Sequence, residues 1–307
     1  MNKSFSIAVA AVLAAALALS GCVRPTPGTG VREVPDGVSK IVSAMSHALT
    51  FRFNSTLSDN YTVIQTTGNS TDTWLWQGRT EADLARKAAH VSMNITDLAH
   101  TLVTQYRWEM YLGSGWQYYN QTTPGGGAGN PWTRTQLESQ DPLFSNSAQV
   151  APLIELLKTA MQVNSVGSEV VDGIDCEILE AVPTAAAASD WVLSQDRESS
   201  GPSISWWRAG PERSKEIYAN AFTSGVARLW IDRNSHRILK TDVSLHFSVL
   251  PGNAVRSDTP LEGNGSETDL GFDEIDRDFH GEMRFFDYGQ PLSIVPPREA
   301  IKAPTHP

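Results

Sequence analysis

Apolar and polar residues alternate along much of this chain with a period of two, and that alternation restricts it to extended strands that each bury one face. Tyr106, Trp108, Met110 and Leu112 alternate with Gln105, Arg107 and Glu109, and Gly113-Ser114-Gly115 then turns the chain into Trp116 to Asn120. Leu239, Val243, Leu245, Phe247 and Val249 oppose Lys240, Asp242, Ser244, His246 and Ser248, with Asp232 to His236 as the turn from Val226 to Ile231. Asp172-Gly173 marks a further hairpin. The expected fold class is α+β, mostly antiparallel β.

Helical periodicity is confined to a few segments. Val38, Ile41, Val42, Met45 and Leu49 follow Asp36, an N-cap residue type, at a spacing near 3.6. Val150, Leu153, Ile154, Leu157 and Met161 repeat that spacing. Ala82 to Ala89 has helix-forming composition but lies between strand-like Thr73 to Gln77 and Val91 to Ile95, which favours strand. Ala185 to Gly201 reads as an inserted loop or small helix over the sheet, and Arg208 to Tyr218 as a short helix within the same insertion.

The N-terminus supplies an address. Lys3 precedes an apolar run from Phe5 to Leu19, too short to span a bilayer, and Leu19-Ser20-Gly21-Cys22 resembles the lipobox of a bacterial or archaeal lipoprotein. That resemblance implies cleavage before Cys22, lipid on its sulfur and attachment to the outer side of the cell membrane. Residues 1–21 are then the signal peptide and 22–33, rich in Pro, Thr and Gly, a flexible tether. About 285 residues remain, enough for a substantial core. Removing Lys3 takes the net charge from −10 to −11, which argues against nucleic acid as a partner.

Two further residue types fit the exterior. With Cys22 lipidated, Cys176 has no disulfide partner; flanked by Ile174 and Ile178 at a period of two, it reads as a buried thiol rather than a nucleophile. Sequons stand at Asn54, Asn60, Asn69, Asn94, Asn120 and Asn264, six among the 12 asparagines that follow the leader. A Ser/Thr content of about one in six gives only about two by chance, so these are candidate N-glycosylation sites, although strands rich in Ser and Thr also accumulate sequons harmlessly.

The motifs of catalysis are missing. There is no Gly-x-Ser-x-Gly, His-Glu-x-x-His, Cys-x-x-Cys or EF-hand loop, so no enzyme, catalytic residue, metal or cofactor is expected. Gly-rich Pro124 to Asn130 lacks the Lys-Ser/Thr of a phosphate loop and reads as a surface loop. Asp276, Asp278, His280 and Glu282 share one face of an extended strand, which alternation with Phe279, Gly281 and Met283 explains as solvated.

The segment Phe286-Asp287-Tyr288-Gly289-Gln290-Pro291-Leu292-Ser293-Ile294-Val295-Pro296-Pro297 resembles the closing segment of LolA-like and LppX/LprG-like lipoproteins. The opening helix, the Tyr106 to Trp116 hairpin, Val171 to Glu180 and Ala227 to Arg233 follow in matching order, so the likeness spans most of residues 34–298. It implies a single domain with an insertion at about 185–222, followed by a tail over 299–307. The implied sheet is a strongly curved, unclosed half-barrel with helices on its concave side and an apolar cavity between them. Trp108, Met110, Leu112, Leu245, Phe247 and Val249 are the candidate cavity residues, though the same stripes also suit a dry core.

Two functions follow as expectations. In the first, a membrane-anchored lipoprotein binds a lipid or other hydrophobic ligand as a carrier, without covalent chemistry. In the second, the same fold is a cell-envelope sensor or protein-binding module, for which Trp206-Trp207 offers a contact. The partners expected are the membrane through Cys22, a lipid ligand and an envelope protein.

Overall fold

The computed structural model describes residues 36–98, 104–122, 132–137, 150–198, 211–250 and 273–305. Pro35–Pro307 forms a compact unit of its own. In chain order its elements are α1 (Asp36–Ser46), β1 (Thr50–Ile64), β2 (Ser70–Asp83), β3 (Ala88–Asp97), β4 (Thr104–Gly113), β5 (Trp116–Thr122) and β6 (Thr133–Gln136). There follow α2 (Val150–Thr159), β7 (Gln162–Val171), β8 (Ile174–Val182), α3 (Ala185–Glu198), α4 (Pro211–Ala221), β9 (Phe222–Asp232), β10 (Ile238–Val249), β11 (Glu274–Phe286) and α5 (Arg298–Ile301).

The strands form one 11-stranded sheet in the order β6-β5-β4-β3-β2-β1-β11-β10-β9-β8-β7. Every pairing between neighbours is antiparallel. The chain starts at the centre with β1, steps outward to β6, resumes at the far edge with β7 and steps back until β11 lies beside β1. The sheet does not close on itself and forms a curved half-barrel with helices on its inner face.

Turn chemistry sets the register of several hairpins. Ser114 and Gly115 have φ of 53° and 79°, and Asp172 and Gly173 of 49° and 82°. Two consecutive positive φ values suit the two-residue turns whose twist matches that of paired strands. The Asp232 carboxylate accepts from the backbone N–H of Asn234 at 2.9 Å and the hydroxyl of Ser235 at 2.5 Å, which fixes the β9–β10 turn. Ala82 to Ala89 resolves into the end of β2, a turn and the start of β3, in keeping with the preference for strand.

The inner face carries one continuous core. β1 contributes Phe51, Phe53 and Leu57; β11 contributes Phe279, Met283 and Phe285; β10 contributes Val243, Leu245, Phe247 and Val249. Val38, Ile41 and Met45 of α1, Leu153, Leu156 and Leu157 of α2, Trp191 and Val192 of α3 and Ile217 and Tyr218 of α4 join the same cluster. The segment read as an insertion over the sheet thus supplies two helices to the core, α3 against β9 and α4 against β10.

Phe53 and Phe285 meet across the central strand pair with ring centroids 5.2 Å apart, and Phe51 lies 6.1 Å from Tyr288. The Tyr288 hydroxyl donates to the Ile238 carbonyl at 2.6 Å, so the closing Tyr-Gly segment ties β11 to the start of β10.

Four residues leave the positions that periodicity assigns them. Leu49 and Met161 lie beyond the ends of α1 and α2 and are exposed. Strand pairing captures their backbones: the Leu49 carbonyl accepts from Leu84 N–H at 2.7 Å, and Met161 N–H donates to the Val182 carbonyl at 2.7 Å. Leu239 falls at a register shift between Ile238 and Lys240 and joins a small second cluster with Val171, Cys176 and Trp230. Cys176 is buried as expected, but in that cluster, while Leu179 and Ala181 carry the main-core face of β8.

A charged pair lies inside the core. Arg277 of β11 donates from Nε and Nη2 to the two carboxylate oxygens of Asp59 on β1, at 2.8 and 2.6 Å. Both side chains are buried, and Arg277 Nη1 donates to the Tyr218 hydroxyl of α4. The pair joins the two central strands to a helix that covers them.

Arg277→Met strands a buried carboxylate and is expected to cost about 3–5 kcal/mol in urea unfolding. Adding Asp59→Leu should recover part of that loss; a double variant less stable than Arg277→Met alone would show that the pair is not the source. Burial also pushes the Cys176 thiol above its ordinary range. Ellman's reagent should therefore leave Cys176 unmodified in buffer and titrate it fully in denaturant.

Candidate functional site

The six candidate cavity residues all project from the inner face and are all buried in the main cluster. They form two separate walls. Trp108, Met110 and Leu112 stand on β4, and Leu245, Phe247 and Val249 on β10, with β3, β2, β1 and β11 between them. At about 4.8 Å per strand the walls lie roughly 24 Å apart along the sheet. Trp108 packs edge-on to Tyr119 at 5.8 Å, whereas Phe247 packs against Tyr218 of α4 at 5.4 Å and Phe222 at 5.6 Å.

Between the walls the lining comes from residues that periodicity did not single out. Leu57, Trp76 and Ile95 are aligned across β1, β2 and β3. In the next row Met283, Ser55, Gly78, Met93 and Trp108 are aligned from β11 to β4. Trp191 comes down onto this wall from α3, edge-on to Phe279 at 5.0 Å. A Cβ at Gly281 would lie 2.9 Å from the Trp191 ring and 2.7 Å from Leu57. Only glycine there lets the indole reach the sheet.

Two groups of polar atoms stand out in this interior. Asp59, Arg277 and Tyr218 satisfy one another. The indole nitrogens of Trp76, Trp108 and Trp191 and the hydroxyl of Thr241 are buried with no hydrogen-bond partner. A buried polar group left unmatched costs about 1–3 kcal/mol. Alternation along Trp74-Leu75-Trp76 is the signal for Trp76; Trp191 lies in an alanine-rich segment whose pattern gives no such sign.

The outer face is solvated and charged. Asp276, Asp278, His280 and Glu282 do share it, as read from the sequence, but face different neighbours. Asp278 lies 2.8 Å from His246 Nδ1, His280 Nδ1 lies 3.1 Å from Ser244 Oγ, and Glu282 pairs with Lys240 and Arg284. Partial burial works to raise the Glu282 pKa, and hydrogen bonds from Arg284 and Lys240 outweigh it, holding the carboxyl below its ordinary range. Among the described residues no three His, Cys, Asp or Glu side chains converge as metal ligands.

Two open depressions occur away from the interior. One of about 520 Å³ lies on the outer face by Ser244, His246 and His280; another of about 400 Å³ lies between the end of α1 and Gly289 to Leu292. The sequon residues Asn54, Asn60, Asn69 and Asn94 are exposed, and Asn120 is half-buried with an unpartnered Oδ1. Cys22, Asn264, the Pro124 to Asn130 loop and Trp206-Trp207 lie outside the described residues.

No family model and no curated protein matches the chain. Solved structures do. The lipoprotein LppX of Mycobacterium tuberculosis is 12% identical over 84% of this chain and 96% of its own, with a TM-score of 0.38. LprF of Mycobacterium bovis is 11% identical over 87% of this chain and 98% of its own, with a TM-score of 0.42. A LolA superfamily protein of Nitrosomonas europaea is 10% identical over 85% and 96%, with a TM-score of 0.20. The solved structures that the chain resembles thus include an LppX lipoprotein and a LolA superfamily protein.

Proposed function

We propose that this chain is a membrane-anchored extracytoplasmic lipoprotein whose half-barrel interior binds a lipid or other hydrophobic ligand, as a carrier without covalent chemistry. The observation that carries this reading is the way the apolar inner face is covered. Among the described residues no second sheet packs on it; separate helices do, and α3 and α4 lie on the connection between β8 and β9, outside the strand ladder. Their separation from the sheet would break no interstrand hydrogen bond. Each ligand methylene that then replaces helix contacts gains about 0.8 kcal/mol over water. Cys22 supplies the membrane tether, and no helix among the described residues is long and apolar enough to cross a membrane.

A second reading, a protein-binding envelope module, has one observation in its favour. Among the described residues β7 has β8 as its sole strand neighbour, and Val166 and Val170 on it are 51% and 65% exposed. An unpaired strand edge with exposed valines is a template for a strand from another chain.

The chain from Val31 onward retains the compact unit and suits native mass spectrometry after mild extraction. A discrete adduct that solvent extraction returns as a lipid is the expected result. A bare polypeptide mass, unchanged after incubation with vesicles of membrane lipid, would overturn the carrier reading and favour the edge-binding one. In its own host, Cys22→Ala should shift the full chain from the detergent phase of a Triton X-114 partition to the aqueous phase. The same material tests the sequons: glycopeptide mapping should find glycan at exposed Asn54, Asn60, Asn69 or Asn94, and unmodified peptides at all four would end that proposal.

A further inference from the structure

We propose that the indole N–H groups of Trp76, Trp108 and Trp191 are hydrogen-bond donors for the ligand, so that the interior takes a lipid carrying neutral carbonyl oxygens among its alkyl chains rather than hydrocarbon alone. The proposal rests on the carrier reading and adds the polar chemistry that the ligand must bring.

Trp76, Trp108 and Trp191 are 8%, 3% and 0% exposed, and each indole nitrogen is buried without an acceptor. Other polar groups of buried aromatics are matched: Trp230 donates from Nε1 to Glu169 at 2.7 Å, Tyr288 to the Ile238 carbonyl at 2.6 Å, and the Tyr218 hydroxyl accepts from Arg277. Trp230 packs in the small second cluster, away from the main core. Among the described residues, the buried indoles without a partner all lie in the main interior.

Register brings them to one span of wall. Trp76 is aligned with Ile95 on β3, and Trp108 with Met93 two residues along the same strand. The two indoles therefore stand on diagonal positions of adjacent rows. Trp191 reaches the same rows at Gly281, whose partner Leu57 is in turn the partner of Trp76. Thr241, whose hydroxyl is also unmatched, is aligned with Met283 in the row that ends at Trp108.

The donor set defines what it accepts. An indole nitrogen donates and cannot accept, so the complementary group is an acceptor. The Arg277 charge is engaged by Asp59, which leaves neutral donors on this wall. Neutral donors in an apolar setting suit an ester or amide carbonyl, because a carboxylate or phosphate would lose its hydration without gaining a counter-charge.

The test compares three probes of similar length on the chain from Val31 onward: heptadecane, methyl palmitate and palmitate, each displacing a fluorescent fatty-acid analogue. Methyl palmitate is expected to bind about fivefold more tightly than either of the others, the range of one or two neutral hydrogen bonds. In proton–nitrogen NMR of indole-labelled protein, one or two of the three buried tryptophan signals should move downfield with methyl palmitate, whose single carbonyl oxygen accepts two hydrogen bonds at most, and all three should stay in place with heptadecane. Trp76→Phe and Trp108→Phe keep an aromatic ring and should each reduce the preference for the ester. Should either variant fail to fold, the three indole signals of the unchanged chain decide. Equal binding of ester and hydrocarbon with unmoved indole signals would overturn the donor role and leave the carrier reading standing. Binding of none of the probes would overturn the carrier reading, and the donor role with it.

Discussion

The structure depends on the pairing of its first strand with its last. β1 and β11 run antiparallel from Arg52–Phe286 to Ile64–Glu274, and among the described residues no other strand pairing joins the β1–β6 half of the sheet to the β7–β11 half. Every other pairing joins strands that follow one another in chain order. Because loop-closure entropy must be paid before such distant contacts reward it, the seam is the slow step that topology imposes on folding. The residues at the seam are correspondingly large and apolar: Phe51, Phe53 and Leu57 on one strand, and Phe279, Met283 and Phe285 on the other.

Set within that apolar seam, Asp59 and Arg277 give it directionality that hydrophobic packing lacks. A bidentate contact between a planar guanidinium and a carboxylate tolerates one geometry, and a slip of one residue would turn both side chains to the opposite face. The hydroxyl of Tyr218 takes a third guanidinium donor, so the same device sets where α4 lies. Buried ion pairs contribute little net stability against an apolar alternative, so the gain here is in specifying one arrangement.

Much of this architecture is legible in the sequence where the signal is local. The period of two marks β4 and β10, and the Asp172-Gly173 and Ser114-Gly115 turns mark their hairpins, because a turn that needs positive φ leaves few residue choices. Helices α1 and α2 show the expected apolar spacing, but their ends do not, since Leu49 and Met161 are claimed by strand hydrogen bonds that periodicity cannot see. What stays hidden is set by distant partners. Arg277 shares the parity of Phe279 and Met283, and nothing local explains a charge on that face until Asp59, 218 residues away, is placed beside it. Trp191 reads as part of a surface insertion until Gly281 opens a place for its ring. Of the candidate site, the two outer walls are readable, and the tryptophan-lined span between them follows from the seam.

The two edges of the sheet are finished differently. At β6 the chain seals its own edge: Arg134 N–H donates to the Pro304 carbonyl at 3.2 Å, its Nη1 donates to the Ile301 carbonyl at 2.8 Å, and its guanidinium lies over Trp116. At β7 no described segment does the same. A molecule with two free edges can add copies without limit and form fibres, whereas one with a single free edge has nothing left to offer once that edge is paired. Among the described residues, pairing of a further strand at β7 would therefore leave the β6 edge still covered by the short stretch from Ile301 to Thr305.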